Sequence, residues 1–369
     1  MSESRDRRWL FRRFPALADR LPWQQLANLP TPVERCEKFS ARLGAEVWIK
    51  RDDLDSDLYS GNKPRKFEFI FADAARCGAK QIMTMGSVGS NHAAATSLFC
   101  CRLGYQPVLA VVPQPVLSYV RENILVDHSC NPIYLLSRNE AEAAVKMMLH
   151  SRRVAHETGT PPYFMYFGGS SRIGNVGFVE AGLELAAQIK AGDMPEPSRI
   201  FVATGSCGTH AGLLVGLRAA GSNVRVIGVR IVPKIVTNKL VVATHANLVA
   251  SYLRHIDSTF PAMHFSTRDI DLLDDFFGGE YGRPTAAGKE AIFLARDTDG
   301  IDLDPTYTGK AFAGLLAYLY SCPDRQAPIL FWHTKNGLPL DRWTEGVAPE
   351  SLPPMLQRYF TEPLYDPEL

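Results

Sequence analysis

The residues able to carry chemistry lie in short polar runs that follow apolar ones. Ser60-Gly61-Asn62-Lys63-Pro64-Arg65-Lys66 comes after the strand-like EVWIKRDDL and opens a helix. Pro64 suits a first helical turn, which sets Lys63 at the helix N-terminus. There the helix field and Lys66 both favour a neutral amine at Lys63, the form that attacks a carbonyl to make an imine. A solvated basic helix start would explain the same run, so by itself it leaves both readings open. Thr204-Gly205-Ser206-Cys207-Gly208-Thr209-His210-Ala211-Gly212 stands between the strand RIFVAT and another helix. Small residues there let backbone N–H groups converge on an anion. The run lacks the Walker lysine and the GxGxxG order, so it fits one phosphate better than a nucleotide, with a tight turn capped by Thr209 as the alternative. Gly86-Ser87-Val88-Gly89-Ser90-Asn91-His92 is a second such helix start. It suits a carboxylate, or is an ordinary N-cap.

Two late runs each carry a tyrosine, Gly279-Glu280-Tyr281-Gly282-Arg283-Pro284 and Asp304-Pro305-Thr306-Tyr307-Thr308-Gly309-Lys310. Tyrosine moves protons and stacks on rings, and it also simply packs. The apolar run APILFWH ends in His333-Thr334-Lys335-Asn336-Gly337, a polar stretch where a parallel strand would open on a cleft. One lysine for an imine, one phosphate cradle and one carboxylate cradle together describe pyridoxal phosphate acting on an amino acid.

The elements that must position these runs alternate along the chain. Strand-like segments fall at 46–50, 81–86, 107–112, 132–136, 163–167, 199–204, 224–231 and 327–333. Helical stretches fall at 63–77, 91–103, 117–126, 138–157 and 177–191, then from 209, and at 234–255, 284–297 and 308–321. Buried apolar strands alternating with helices predict parallel sheet in an α/β architecture, as two lobes with a ligand cleft between them. The Pro-rich C-terminal run LPPMLQRYFTEPLYDPEL reads as an irregular surface tail.

Composition narrows the class. The chain has 369 residues, 46% hydrophobic and 21% charged, with 40 Lys+Arg against 39 Asp+Glu. That length suits about two domains, and a net charge of +1 argues against a nucleic-acid or anionic-membrane surface. No apolar run is long enough for a transmembrane helix, and the N-terminus has no signal-peptide core. The seven cysteines (36, 77, 100, 101, 130, 207 and 322) lack CxxC spacing, the usage of buried thiols in a reducing compartment. His150 and His156, the nearest approach to a histidine cluster, are expected on the surface of one helix; no metal site is expected.

The runs TPVERCEKFSARLG, IKRDDL, SGNKPRKFEF, GSVGSNHAAA, GGSSRIGNVGFVEAGLEL, TGSCGTHAGL, GEYGRP and DPTYTGKA occur in one order from about Phe14 to Gly337. In them the chain resembles the fold-type II pyridoxal-phosphate enzymes, within the branch of D-cysteine desulfhydrase and 1-aminocyclopropane-1-carboxylate (ACC) deaminase. The resemblance implies a two-domain, tryptophan synthase β-like α/β fold, with helices flanking parallel-rich sheets and the cofactor in the interdomain cleft. The large domain would be 1–65 and 179–369, and the small one 66–178. It implies Lys63 as the Schiff-base lysine and Lys66 on the phosphate, which Gly205, Ser206, Cys207, Gly208 and Thr209 also hold. Asn91 would meet the ring hydroxyl, and Ser90, Asn91 and His92 the substrate carboxylate. Tyr307 would stack near the ring and, with Tyr281, move protons, while Thr334 would contact the cofactor.

Deaminases of the branch place Glu where this chain has Thr308, and Thr334 matches the desulfhydrase side. A hydroxyl is a weaker partner for the pyridine nitrogen than a carboxylate, which ranks β-elimination above ring opening. The implied reaction takes D-cysteine to pyruvate, ammonia and hydrogen sulfide. ACC deamination, elimination from another three-carbon amino acid such as cysteate, and cofactor binding without catalysis are the alternatives. The chain departs from the branch at Pro64, where Thr is common, and at Lys335-Asn336, where a Gly-Gly turn is usual; a cation at Lys335 could select an acidic side chain. A small amino acid as substrate, a homodimer and a cytoplasmic location complete the expectation.

Overall fold

The computed structural model describes residue 5, residues 8–321 and residues 327–366; Cys322 lies outside them. Among the described residues ten strands form two sheets. A six-stranded sheet has the order β1-β2-β10-β7-β8-β9, with β1 Val33–Arg35, β2 Val47–Arg51, β7 Arg199–Thr204, β8 Arg225–Arg230, β9 Asp271–Leu273 and β10 Ile329–His333. A four-stranded sheet has the order β5-β4-β3-β6, with β3 Gln81–Ser87, β4 Gln106–Val112, β5 Ile133–Leu136 and β6 Tyr163–Met165. All neighbours pair in parallel except β1 with β2. The continuous apolar runs explain this, because a strand covered by helices on both faces carries no polar alternation.

The expected strands are all present, with ends shifted by a residue or two. The 163–167 segment is shorter: Phe167–Gly169 turns as a 3-10 helix around Gly168. β1 and β9 were not expected. Each has three residues and is held by a neighbour's ladder rather than by a pattern of its own.

The described residues through Ile70, with Gly169–Gly337, form one compact unit; Phe71–Gly168 and the described residues from Leu338 form the other. Both boundaries differ from those expected, and the C-terminal segment packs with the second unit. Its tail is not irregular: Pro354–Thr361 is a helix. Leu352, Leu356 and Tyr359 bury against Val88, Val111 and Val120, a gain of about 1.5–3 kcal/mol per large side chain. His150 is likewise not at the surface. It is 6% exposed and bonds Gln81 Oε1 at 2.8 Å, while His156 is exposed.

Candidate active site

In the first unit β2, β10 and β7 are parallel neighbours, so the chain leaves all three at one edge of the sheet. That edge therefore gathers the turn before Lys63, the stretch Thr334–Gly337 and the loop after Thr204. The Lys63 turn is tied to its neighbours by the backbone. Gly61, at φ +94°, donates to Asp52 O at 2.8 Å, and a Cβ on it would run into the Thr334 carbonyl. Asn62 N donates to Thr334 O at 3.3 Å. The Ser60 amide and hydroxyl both donate to Asn336 Oδ1, at 2.9 and 3.0 Å, and Gly337 N donates to Ser60 Oγ at 2.8 Å. Asn336, one of the two residues that depart from the Gly-Gly pattern, thus locks this turn.

Lys63 begins the helix Lys63–Arg76 and is partly buried. Its Nζ donates to Asn62 Oδ1 at 2.5 Å, and Asn62 Nδ2 donates to Thr209 Oγ1 at 3.2 Å. Loss of water lowers its pKa to about 8 against the upward pull of Asp304 and Asp55. Near neutral pH a fraction of Lys63 is therefore free amine. Asp55 is buried, and among the described residues neither carboxyl oxygen has a hydrogen-bond partner; burial, then the Asp52 charge, raise its pKa well above the carboxylate range.

The loop after β7 leads into the helix Gly208–Ala220; Cys207 precedes it at φ +67°, and its side chain does not cap the helix. The amides of its first turn have no intrahelical acceptor. Lys66 is fully buried and donates to Ser170 Oγ at 3.2 Å. Ser170 Oγ donates to Ser206 Oγ at 2.8 Å and accepts from Gly208 N at 3.1 Å. Thr237 donates to the Gly205 carbonyl. A Cβ on Gly208 would run into Ser170 and Asn175, and the buried Asn175 Oδ1 has no partner among the described residues. Burial and the Lys63 charge pull Lys66 well below the ordinary lysine range. The Thr209 and His210 amides of this helix start, beside two lysines whose pKa values are lowered by burial, fit the phosphate of pyridoxal phosphate.

Tyr281 and Tyr307 hydrogen-bond through their hydroxyls, with ring centroids 6.2 Å apart. Tyr307 precedes the helix Thr308–Ser321. Asp304 caps that helix: its carboxylate accepts from Thr306 N at 2.9 Å, Tyr307 N at 2.6 Å, Thr308 N at 3.1 Å and Thr308 Oγ1 at 2.6 Å. The only proton of the Thr308 hydroxyl is thereby committed to Asp304. Lys335 pairs with Asp302.

In the second unit Ser90 caps the helix Asn91–Leu103, accepting from His92 N at 3.2 Å. Its own hydroxyl proton remains able to donate. Asn91 Oδ1 accepts from Asn123 Nδ2 at 2.8 Å, which leaves the Asn91 NH₂ group as a donor. The His92 ring meets Thr84 Oγ1 at 3.1 Å inside the unit.

Lys63, Lys66, the Gly205–Thr209 residues, Tyr281, Tyr307 and Thr334 thus all belong to the first unit, and Ser90, Asn91 and His92 to the second. Ser170, Asn175, Thr237, Asn123, Asp55 and Asp304 were not singled out. Ser170 and Asn175 stand in the run GGSSRIGNVG and Asp304 in DPTYTGKA, so those motifs contained a signal that was not assigned a role. Among the described residues no group of three or more metal-binding side chains converges, and no helix is long and apolar enough to cross a membrane.

A family model for pyridoxal-phosphate dependent enzymes matches residues 25–335. The chain is 37% identical over 323 residues to D-cysteine desulfhydrase of Salmonella newport (strain SL254), a match covering 85% of this chain and 94% of that protein. The identity and coverage are the same for D-cysteine desulfhydrase of Salmonella choleraesuis (strain SC-B67). The crystal structure of an ACC deaminase homologue superposes with a TM-score of 0.74 at 30% identity, covering 89% of this chain and 94% of that one. A threonine deaminase isoform 2 from Solanum lycopersicum, at 18% identity, has a TM-score of 0.57 over 91% of this chain and 87% of its own, and shows the fold alone.

Proposed function

Because the chain belongs to the pyridoxal-phosphate dependent enzymes and has their fold-type II architecture, we propose that it eliminates the β-substituent of a small amino acid. The substrate this reading favours is D-cysteine, converted with water to pyruvate, ammonia and hydrogen sulfide. Bound pyridoxal phosphate supplies an electron sink for the carbanion left at the α-carbon. The observation that carries the reading is Lys63: a lysine with pKa about 8, linked through Asn62 to Thr209 in the first turn of the Gly208–Ala220 helix.

The chain's own residues divide the remaining work. Lys63 would hold the cofactor and would take the α-proton of the substrate. The Tyr281–Tyr307 hydroxyl pair holds a proton for the leaving group. Lys66, Ser206, Cys207, Gly208 and Thr209 would hold the phosphate; Ser90 and Asn91 would receive the carboxylate. Two observations bear on the choice of substrate. Thr308, its hydroxyl proton given to Asp304, offers no carboxylate where branch deaminases have Glu, which favours elimination over opening of the ACC ring. Lys335 is paired with Asp302, so it is not a bare cation waiting for an acidic substrate such as cysteate.

The unpaired Cys36, Cys100, Cys130 and Cys207, all buried, support a reducing cytoplasmic setting, and the same reading makes the enzyme a homodimer. The deciding experiment incubates the purified holoenzyme with D- and L-cysteine, ACC and cysteate. Sulfide with pyruvate from D-cysteine is expected; 2-oxobutyrate from ACC, or sulfite from cysteate, would replace the reading. Lys63→Ala is expected to lose activity by about 10³-fold or more, together with the cofactor's imine absorbance. Retained turnover would remove Lys63 from its role.

A further inference from the structure

The function proposed above uses Tyr281, yet nothing in it explains what holds that tyrosine in place. Its loop is rich in glycines with positive φ, Gly278 at +82°, Gly279 at +85° and Gly282 at +82°, and residues 278–280 are exposed. Such a segment has little to order it locally. The loop is pinned at its start by two cations. Arg230 donates to Asp274 Oδ1 at 2.7 Å and to Asp274 O at 2.9 Å. Lys310 donates to Phe277 O at 2.7 Å, with its ammonium 5.8 Å from the Phe277 ring centre.

Lys310 is the unusual member. It is fully buried, and the Phe277 carbonyl is its one hydrogen-bond partner among the described residues, although an ammonium has three N–H groups to satisfy. Burial lowers its pKa to about 8 against the pull of Asp304, the one charged group acting on it. An apolar side chain of equal length would fill the same space without that desolvation cost. Lys310 also lies one helical turn after Tyr307, so a single helix start presents Tyr307 to Tyr281 and Lys310 to Phe277. The loop is therefore gripped at two points four residues apart by one rigid element.

We propose that Lys310 is a positioning residue, which holds the Phe277 carbonyl and thereby keeps the 277–283 loop ordered with the Tyr281 hydroxyl against that of Tyr307. The proposal rests on the reading of these tyrosines as the proton-handling pair. A neutral amine still donates, so the grip survives on either side of pH 8.

The test is Lys310→Met in the holoenzyme, which keeps most of the stem and removes the donor. Amide hydrogen exchange across 277–283 is expected to quicken about tenfold or more while the Gly208–Ala220 helix is unchanged. The substitution should lower kcat about tenfold with KM within about twofold, and add no further loss in a Tyr281→Phe background. Unchanged loop exchange, or losses that multiply in the double variant, would overturn the proposal. Should Lys310→Met not fold, Lys310→Gln, with its donor one atom shorter, is expected to exchange at an intermediate rate, and wild-type exchange would count against the idea. If Tyr281→Phe leaves kcat intact, the proton-handling reading falls, and the exchange measurement alone decides whether Lys310 orders the loop.

Discussion

Lys63 and Lys310 are driven to the same lowered pKa, about 8, by the same loss of water, but only Lys63 stands on a turn that other loops converge upon. Residue type therefore named the candidates, and surroundings sorted them. Gly208 makes the point from the opposite direction, since its contribution is to have no side chain. The Gly208→Ala variant would drive a methyl into Ser170 and Asn175 and displace the helix start on which a phosphate would sit. Its affinity for pyridoxal phosphate is expected to fall at least tenfold, read by fluorescence titration of cofactor-free protein, with thermal stability lowered by about 1–3 kcal/mol. Lys63 and the Gly205–Thr209 run stand out as candidates because imine formation and phosphate binding each ask for particular residues in a short stretch. Ser170, Asn123 and Asn336 do not. Each acts by bonding a residue far away in the sequence, and no local pattern records that.

At the scale of elements, the periodic segments were readable and the exceptions have causes. β1 and β9 are too short to show a period, and the helix Pro354–Thr361 was hidden by prolines that stand at its first turn, where they are tolerated. The helix Ser118–Ser129 carries a cost that its sequence did not reveal. Its Asp127 is buried, bonded to Ser97 Oγ at 2.6 Å, and burial raises its pKa from 3.8 to about 8. Below pH 3.8 both folded and unfolded forms are neutral. As pH rises, the unfolded chain ionises first, so stability is lost progressively up to pH 8. The Asp127→Asn variant, which keeps the shape and an acceptor for Ser97, is expected to gain about 2–4 kcal/mol at pH 7.5 and almost nothing at pH 4. Urea midpoints at the two pH values check this; equal shifts at both would contradict it.

For the molecule as a whole, a net charge of +1 conceals where charge is used. Within the first unit Lys50, Asp52, Arg65 and Glu184 are all fully buried, with Arg65 bonding both carboxylates and Lys50 reaching Glu184 at 2.6 Å. Burial alone would raise the Glu184 pKa, but Arg65 and Lys50 override it and hold the carboxyl at about 2. A lowered folded pKa means stability that is present above the unfolded value of 4.5 and lost as pH falls towards 2. The Glu184→Gln variant is expected to cost about 3–5 kcal/mol at pH 7, because two buried cations lose a partner. Its stability should also fall less steeply between pH 4.5 and 2 than that of the wild type, which acid titration followed by circular dichroism would show.

Sequence alone determined the α/β alternation and the cofactor class, and it singled out Lys63 and the Gly205–Thr209 run as candidates. Those properties need only a period or a handful of adjacent residues, and both are local. Tertiary structure decided which lysines lose their water, that Thr308 gives its proton to Asp304, that Lys335 is spent on Asp302 and that Lys310 grips the Tyr281 loop. It also decided that the C-terminal helix packs with the second unit. Burial and charge compensation depend on what stands within a few ångströms, and those neighbours range from four residues away along the chain, as for Thr308 and Asp304, to more than a hundred, as for Lys50 and Glu184.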